Sequence, residues 1–297
     1  MQILVTGGKG FIGKRLMAKL EALGHTPISY DIVDGQDLFD TEALEAAIKG
    51  VDAVYHVAAE ADLTRMMTLE DGHRGVAQNV NATEKVAYLC AKHKRWLLFA
   101  STLCVYGDVA EYPEREDSTL PSPSEIYAAS KYAAEWVIHG YGKSFELEYT
   151  ILRFATVYGP GMRAALGVYV FLKQALLGEP ITVHGEGKQV RTLTYVDDLV
   201  DGIVAPLTHR EEARSQIFNI TSAEITSAVG MAQQIKELTH SESPITFVPQ
   251  RKNNTQHEEP DTSKAERLLE WKAKHTFQEG LTLTLPWMKE ALANANG

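Results

Sequence analysis

Apolar residues follow two rhythms along this chain. Short unalternated runs, beginning with QILVT at 2–6, have the character of strands buried on both faces of a sheet. Between them lie stretches with apolar residues at helical spacing, the first being FIGKRLMAKLEALG at 11–24, which a glycine stops. The pattern continues with strand TPISYD (26–31), helix TEALEAAIKG (41–50) with Thr41 as its expected N-cap, and strand DAVYHVAA (52–59). Helix NVNATEKVAYLCAKH (79–93), strand RWLLFAS (95–101), helix EIYAASKYAAEWVIHGYG (125–142) and strand ELEYTILRFATVYG (146–159) follow. Such alternation predicts the α/β class: a parallel sheet with helices on both faces, joined by right-handed crossovers.

From about residue 161 the pattern loosens. GVYVFLKQALLGEPITVHG (167–185) reads as a helix and a short strand, and RTLTYVDDLVDGIVAPL (191–207) as a strand and a helix. FNITSAEITSAVGMAQQIKELTH (218–240) adds another strand and helix. A polar loop, QRKNNTQHEEPD (250–261), precedes helix TSKAERLLE (262–270) and an amphipathic stretch to residue 292. The expected division is a first domain over 1–160, to which 191–220 returns, and a smaller lobe from 161–190 and 221–292.

Composition narrows the function. With 297 residues, 44% hydrophobic and 23% charged, the chain is long and apolar enough for a sizeable core. A formal net charge of −10 argues against nucleic acid or an anionic membrane surface as partner, since both need a basic face. A signal-peptide pattern and an apolar run of 18 residues are both missing, so the expectation is a cytoplasmic protein with no membrane span. Cys90 and Cys104 form no metal or disulfide motif, and the ten histidines show no ligand spacing, so no metal is expected.

TGGKGFIG (6–13) directly follows the first strand and opens the first helix. Gly7, Gly10 and Gly13 therefore stand where a dinucleotide pyrophosphate would rest on a helix N-terminus, with the backbone close enough to touch it. Asp31 ends the second strand roughly 20 residues on, as that fingerprint requires. A carboxylate there accepts from the adenosine ribose and repels a 2′-phosphate, which favours NAD; Lys9 is the opposing hint toward NADP.

Tyr127 and Lys131 lie four apart on one helix face, 25 residues beyond Thr102. That helix follows the fourth strand, so all three point to the carboxyl edge where such sheets bind ligands. A tyrosine that deprotonates a sugar hydroxyl near neutral pH must drop roughly 3 units from about 10, or ~4 kcal/mol. A neighbouring ammonium and an oxidised nicotinamide are both positive and favour that phenolate. Thr102 would hold the substrate hydroxyl.

At these residues the chain resembles the extended short-chain dehydrogenase/reductase superfamily, and within it the NAD-dependent sugar epimerase/dehydratase family. The likeness runs from Gln2 to about Trp287 through TGGKGFIG, Asp31, HVAA (56–59), STLCVYG (101–107), YAASK (127–131), LRFATVYGP (152–160), GKQVRTLTYVDD (187–198) and DTSKAERLLEW (261–271). It implies that Phe11 and Ile12 meet the pyrophosphate, Asp37 and Leu38 the adenine, and Ala58, Ala59 and Asn79 the rest of the NAD. It puts the catalytic triad on Thr102, Tyr127 and Lys131, both Tyr127 and Lys131 also touching cofactor. Arg191 and Arg251 match arginines that grip the diphosphate of a nucleotide-sugar, a task suited to the bidentate guanidinium fork. The helices over 82–93 and 125–140 match those that pair in homodimers.

Two departures from the family shape the functional expectation. Thr156 stands where the family has an Asn that often touches the diphosphate. Leu103 and Cys104 follow Thr102 where 4,6-dehydratases carry Asp and Glu, and where decarboxylases keep a Glu at the second position. Leu103 cannot replace that acid. Cys104 stands where the similar fucose synthases keep a reactive Cys, whose partner histidine has no evident counterpart in GPGMRAALG (159–167). Packing is therefore the expected role of Cys104, and a catalytic thiol the alternative. The fold expected is a doubly wound parallel (Rossmann) sheet with a smaller C-terminal substrate-binding lobe. The expected activity is a nucleotide-sugar 4-epimerase of UDP-hexose or hexuronate type, working through a transient 4-keto sugar. The alternatives are a ketosugar reductase or sugar dehydrogenase with net redox turnover, and a dinucleotide-sensing regulator without turnover.

Overall fold

The structure, a computed structural model, describes residues 1–61, 66, 68–107, 109, 111–123, 125–250 and 256–295. In chain order the first half runs β1 (Gln2–Thr6), α1 (Phe11–Ala22), β2 (Thr26–Tyr30), α2 (Thr41–Lys49), β3 (Ala53–His56), α3 (Leu69–Val76), α4 (Ala82–His93), β4 (Trp96–Thr102), α5 (Ile126–Phe145) and β5 (Tyr149–Phe154). The second half runs β6 (Thr156–Tyr158), α6 (Gly167–Leu177), β7 (Ile181–His184), β8 (Val190–Tyr195), α7 (Val196–Val204), α8 (Arg210–Ala213), β9 (Gln216–Ile220), β10 (Ile225–Ser227), α9 (Ala228–Thr239), β11 (Ile245–Val248), α10 (Ser263–Leu269) and α11 (Phe277–Ala295).

The main sheet has six parallel strands in the order β2-β1-β3-β4-β5-β9. Strand order reverses at β1, which pairs with β2 on one side and β3 on the other, so the crevice at its carboxyl end is a natural ligand site. Register lines up the strand ends: Thr6 lies beside Tyr30 and His56, and Thr102 beside Phe154.

Successive strand residues feed opposite cores. Ile3 and Val5 face Leu16 and Leu20 of α1 and Leu199 and Ile203 of α7; Leu4 and Val54 face Leu44 of α2, Val86 of α4 and Ile138 of α5. Full burial of each such side chain contributes roughly 1.5–3 kcal/mol, which is why these strands carry no polar alternation. A third core joins Tyr158, Phe171, Leu172, Val183, Tyr195 and Met231, beneath the small sheets β10-β8-β6 and β11-β7.

The local differences from the sequence expectation have physical causes. Asp40, not Thr41, caps α2, its Oδ1 accepting from the Ala43 amide at 3.1 Å. The helix expected from Asn79 begins instead as a wide turn over Ala77–Asn81, continuous with α3. The strand expected through residue 159 divides at Ala155: β5 stays in the main sheet while β6 pairs with β8. β11, ITFV, escaped the reading because it is only partly buried and pairs with a strand 64 residues earlier, Ile245 opposite Ile181.

A strap ties the segment after β4 to the segment before α10. The Glu114 amide donates to the Glu259 carbonyl at 2.9 Å, the Glu259 amide to a Glu114 carboxyl oxygen at 2.7 Å, and the Asp261 amide to the Glu114 carbonyl at 2.8 Å. Asn219, fully buried at the end of β9, donates to the carbonyls of Glu114 and Asp261 and accepts from the Tyr106 hydroxyl. Among the described residues no helix is long and apolar enough to cross a membrane.

Candidate active site

A cleft of about 860 Å³ opens at the carboxyl end of the main sheet. Its floor is the turn between β1 and α1. Gly7 takes the left-handed φ of +72° and sits so close to Ala58 that a Cβ would lie 2.9 Å from that residue's backbone. A Cβ on Gly13 would come within 2.0 Å of the Gly7 carbonyl oxygen. With Gly10, these positions make a cradle that bare backbone alone can form, as a pyrophosphate resting on a helix N-terminus needs. Phe11 and Ile12 complete that wall.

Asp31 holds the next part of the cleft. Its two carboxylate oxygens accept from the Lys9 amide at 2.8 Å and the Val33 amide at 3.0 Å, so it fixes the glycine turn while facing the cleft. The Lys9 ammonium, the hint toward a 2′-phosphate, lies 3.5 Å from Asp34 instead. Asp37 and Leu38 line the far end, where Tyr30 donates to the Asp37 carbonyl. Ala58 and Ala59 form the opposite wall. Asn79 stands behind it rather than in it: buried, it accepts from the Glu60 amide and donates to the Glu60 carbonyl and Ser130, which clamps the loop after β3 to α5. This donor set and glycine cradle fit a dinucleotide.

Thr102, Tyr127 and Thr156 meet at the other end. Thr102 ends β4, and its hydroxyl accepts from the Cys104 amide at 3.2 Å. Tyr127 opens α5, with Lys131 one turn on and fully enclosed. Burial pushes the Tyr127 phenol above its ordinary value and the neighbouring Cys104 adds to it, while the Thr102 hydroxyl and the Arg163 charge oppose. Burial pulls Lys131 down from 10.5 to about 7 against the charge of Glu135. The polypeptide alone therefore does not lower the phenol as the sequence argument required, because desolvation outweighs the Thr102 hydrogen bond and the Arg163 charge. The Lys131 Nζ lies 4.1 Å from the centre of the Phe99 ring.

A buried network that the sequence reading missed stands behind this pair. Glu135, a further turn along α5, accepts from Ser101 at 2.5 Å and from the Arg153 guanidinium at 3.0 and 2.7 Å. Arg153 also lies 4.8 Å from the Tyr106 ring centre. The signal was present: Tyr127, Lys131 and Glu135 recur at intervals of four in YAASKYAAE.

The outer wall brings in Arg163 and Glu258, neither of which the sequence reading selected. The Arg163 guanidinium donates to the Ala61 carbonyl at 2.5 Å. Leu103 is buried in a small cluster with Val105 and Tyr106, away from chemistry. Enclosure pushes the Cys104 thiol up to about 11, with Glu258 and Glu125 adding to it. That enclosure favours the thiol over the thiolate. Arg191, on β8, is half-buried with its guanidinium donating to the Val190 carbonyl, and it is not among the cleft-lining side chains. Arg251 lies outside the described residues.

Comparison with known proteins places this arrangement. The family model described as the NAD-dependent epimerase/dehydratase family matches residues 3–221. UDP-glucuronic acid decarboxylase 1 of Xenopus tropicalis is 31% identical over 311 residues, covering 98% of this chain and 73% of its own. The UDP-glucose 4-epimerase of Thermotoga maritima, crystallised with UDP-glucose, superposes with a TM-score of 0.90 at 28% identity, covering 98% of this chain and all of that one. The UDP-glucuronic acid 4-epimerase of Bacillus cereus, crystallised with UDP-glucuronic acid and NAD, gives 0.90 at 27% identity over 98% of this chain. The cleft at the switch of strand order, the glycine cradle and the match across nearly three quarters of the chain agree: this protein belongs to the NAD-dependent epimerase/dehydratase family of the extended short-chain dehydrogenases.

Proposed function

We propose that the chain is a nucleotide-sugar 4-epimerase taking a UDP-hexose or UDP-hexuronate. The observation that carries this reading is the meeting of Thr102 and Tyr127 in one cleft, with Lys131 enclosed one helical turn behind the tyrosine, beside a Leu103 turned into the core and a Cys104 whose thiol burial pushes up. Gly7, Gly10, Phe11, Ile12 and Gly13 hold the NAD pyrophosphate, Asp31 the adenosine ribose, Asp37 and Leu38 the adenine, and Ala58 and Ala59 the remainder, with Asn79 bracing their loop. NAD, when bound, supplies a hydride acceptor and donor. The Tyr127 phenolate takes the proton of the C4 hydroxyl, becoming the phenol, and returns it in the reverse step, while the Thr102 hydroxyl orients that hydroxyl. Lys131 beside the phenol favours its charged form. Thr156, Arg191 and Arg251 are assigned to the nucleotide-sugar diphosphate. The wide cleft leaves room for a 4-keto sugar to present either face. The protein acts as a homodimer through α4 and α5, a reading supported by the exposed Tyr88, Trp136 and Phe145.

The test is NMR in D₂O with a panel of UDP-sugars and no added cofactor. Inversion at C4 is expected, with loss of turnover and retention of NAD in Tyr127→Phe. Silence until NAD(H) or NADP(H) is supplied would move the protein to net redox chemistry. Release of carbon dioxide from UDP-glucuronate would make it a decarboxylase.

A further inference from the structure

Behind the reacting residues lies a buried ion pair that no step above uses. Glu135 stands on the face of α5 that also carries Tyr127 and Lys131, one turn beyond the lysine. Its side chain reaches the seam between β4 and β5 where Ser101 and Arg153 sit opposite each other, one residue before Thr102 and Phe154. One carboxylate oxygen accepts from the Ser101 hydroxyl at 2.5 Å and from the Arg153 Nε at 3.0 Å, and the other from the Arg153 Nη2 at 2.7 Å. Glu135 and Arg153 are each 3% exposed. Taking two charges out of water is expensive, and two apolar side chains of similar volume would hold this helix to the sheet at least as well. Packing alone therefore gives no reason for a carboxylate here.

We propose that Glu135 is a positioning residue that serves the reaction through Lys131: its carboxylate, locked by Arg153 and Ser101, is the fixed negative charge against which the enclosed ammonium is held beside Tyr127. The inference rests on the reading of Tyr127 and Lys131 as a reacting pair. Burial pulls the Lys131 amine down, and Glu135 is the one charged side chain among the described residues that opposes it. The other groups around the lysine bring no negative charge. The Phe99 ring of β4 lies 4.1 Å from the ammonium. His56 of β3, between the Thr6 and Thr83 hydroxyls, is kept neutral by burial, and the Lys131 charge adds to that effect. Tyr127, one turn back on α5, is pushed toward the neutral phenol by its own burial. Arg153 approaches the carboxylate from β5 and is not among the charges acting on Lys131, so the ion pair turns its negative end to the lysine. The same carboxylate, through Ser101, also steadies the strand end that presents Thr102.

The test is the titration of Lys131 itself in the NAD-free protein, followed by NMR of ¹³C-labelled lysine side chains, with its resonance assigned by its loss in Lys131→Met. Wild type is compared with Glu135→Gln and with the double variant Glu135→Leu, Arg153→Met, which removes both charges and leaves neither ion buried alone. A wild-type midpoint of about 7 is expected. It should fall by about one pH unit or more in both variants. Should Glu135→Gln not fold, the double variant decides alone. Turnover of a UDP-sugar by the NAD-loaded double variant should show a kcat loss that reaches about tenfold at alkaline pH and shrinks toward acid pH, with KM within about twofold, because only the charged fraction of the lysine has changed. An unmoved Lys131 midpoint in the folded double variant would overturn the proposal, making the ion pair purely structural. A kcat loss of the same size at every pH would overturn it as well. The lysine titration uses neither sugar nor turnover, so it decides the proposal even where the wild type fails to invert C4.

Discussion

Replacing Lys131 with methionine should stabilise the NAD-free protein while abolishing its activity. The buried amine falls from 10.5 to about 7. At ~1.36 kcal/mol per unit, this is a preference of roughly 4–5 kcal/mol for the neutral form. The Phe99 face, 4.1 Å from the ammonium, returns roughly 1–2 kcal/mol of that. About 3 kcal/mol of penalty remains for holding the charge. Because the folded value lies below the unfolded one, the unfolded chain binds a proton between about pH 7 and 10.5 that the folded chain lacks. Stability therefore rises with pH through that window, and the penalty is complete only below about pH 7. Methionine fills a similar volume without charge, so Lys131→Met should melt roughly 5–10 °C higher at about pH 6. The gap should close by about pH 10. Thermal unfolding of both proteins at several pH values checks this, and equal melting at pH 6, or a gap indifferent to pH, would refute the reasoning.

Gly13→Ala places a methyl 2.0 Å from the Gly7 carbonyl, so NAD binding measured by titration should be lost while far-ultraviolet dichroism stays unchanged. Arg153→Met leaves Glu135 buried without its guanidinium partner and should cost roughly 3–5 kcal/mol in denaturant unfolding, most of it restored by adding Glu135→Leu. Asp31→Ser removes the carboxylate facing the adenosine end of the cleft, and calorimetry should show NAD binding weakened about tenfold or more while discrimination against NADP narrows.

The main sheet could be read from the sequence because both-sided burial writes itself as unbroken apolar runs, and QILVT and RWLLFAS became β1 and β4 almost residue for residue. The cofactor end was legible for a related reason. Gly7 and Gly13 are demanded by local backbone contacts, and Asp31 by its position at a strand end. The substrate end was not. Arg163 and Glu258 come from loops with no periodicity, and their proximity to Thr102 depends on how the second half of the chain folds back over the sheet. Asn79 was found for its family position, yet its side chain is spent on the Glu60 loop. Spacing puts Tyr127 and Lys131 on one helix face, as the structure has them, but it carries no information on desolvation, which shifts both groups.

The clasp around Asn219 has a consequence for how such an enzyme is diversified. Residues 114–116 and 258–261 are 145 positions apart by Glu114 and Glu259, yet they are stitched by backbone bonds and share one buried asparagine. A chimera that exchanges only the C-terminal portion keeps the bonds of Asn219 to Tyr106 and Glu114, and must set a new backbone amide against the Glu114 carboxyl and a new carbonyl against the Asn219 amide. Recombination in this half of the chain must keep both segments in register, so the unit of inheritance is discontinuous in the gene although it is continuous in space.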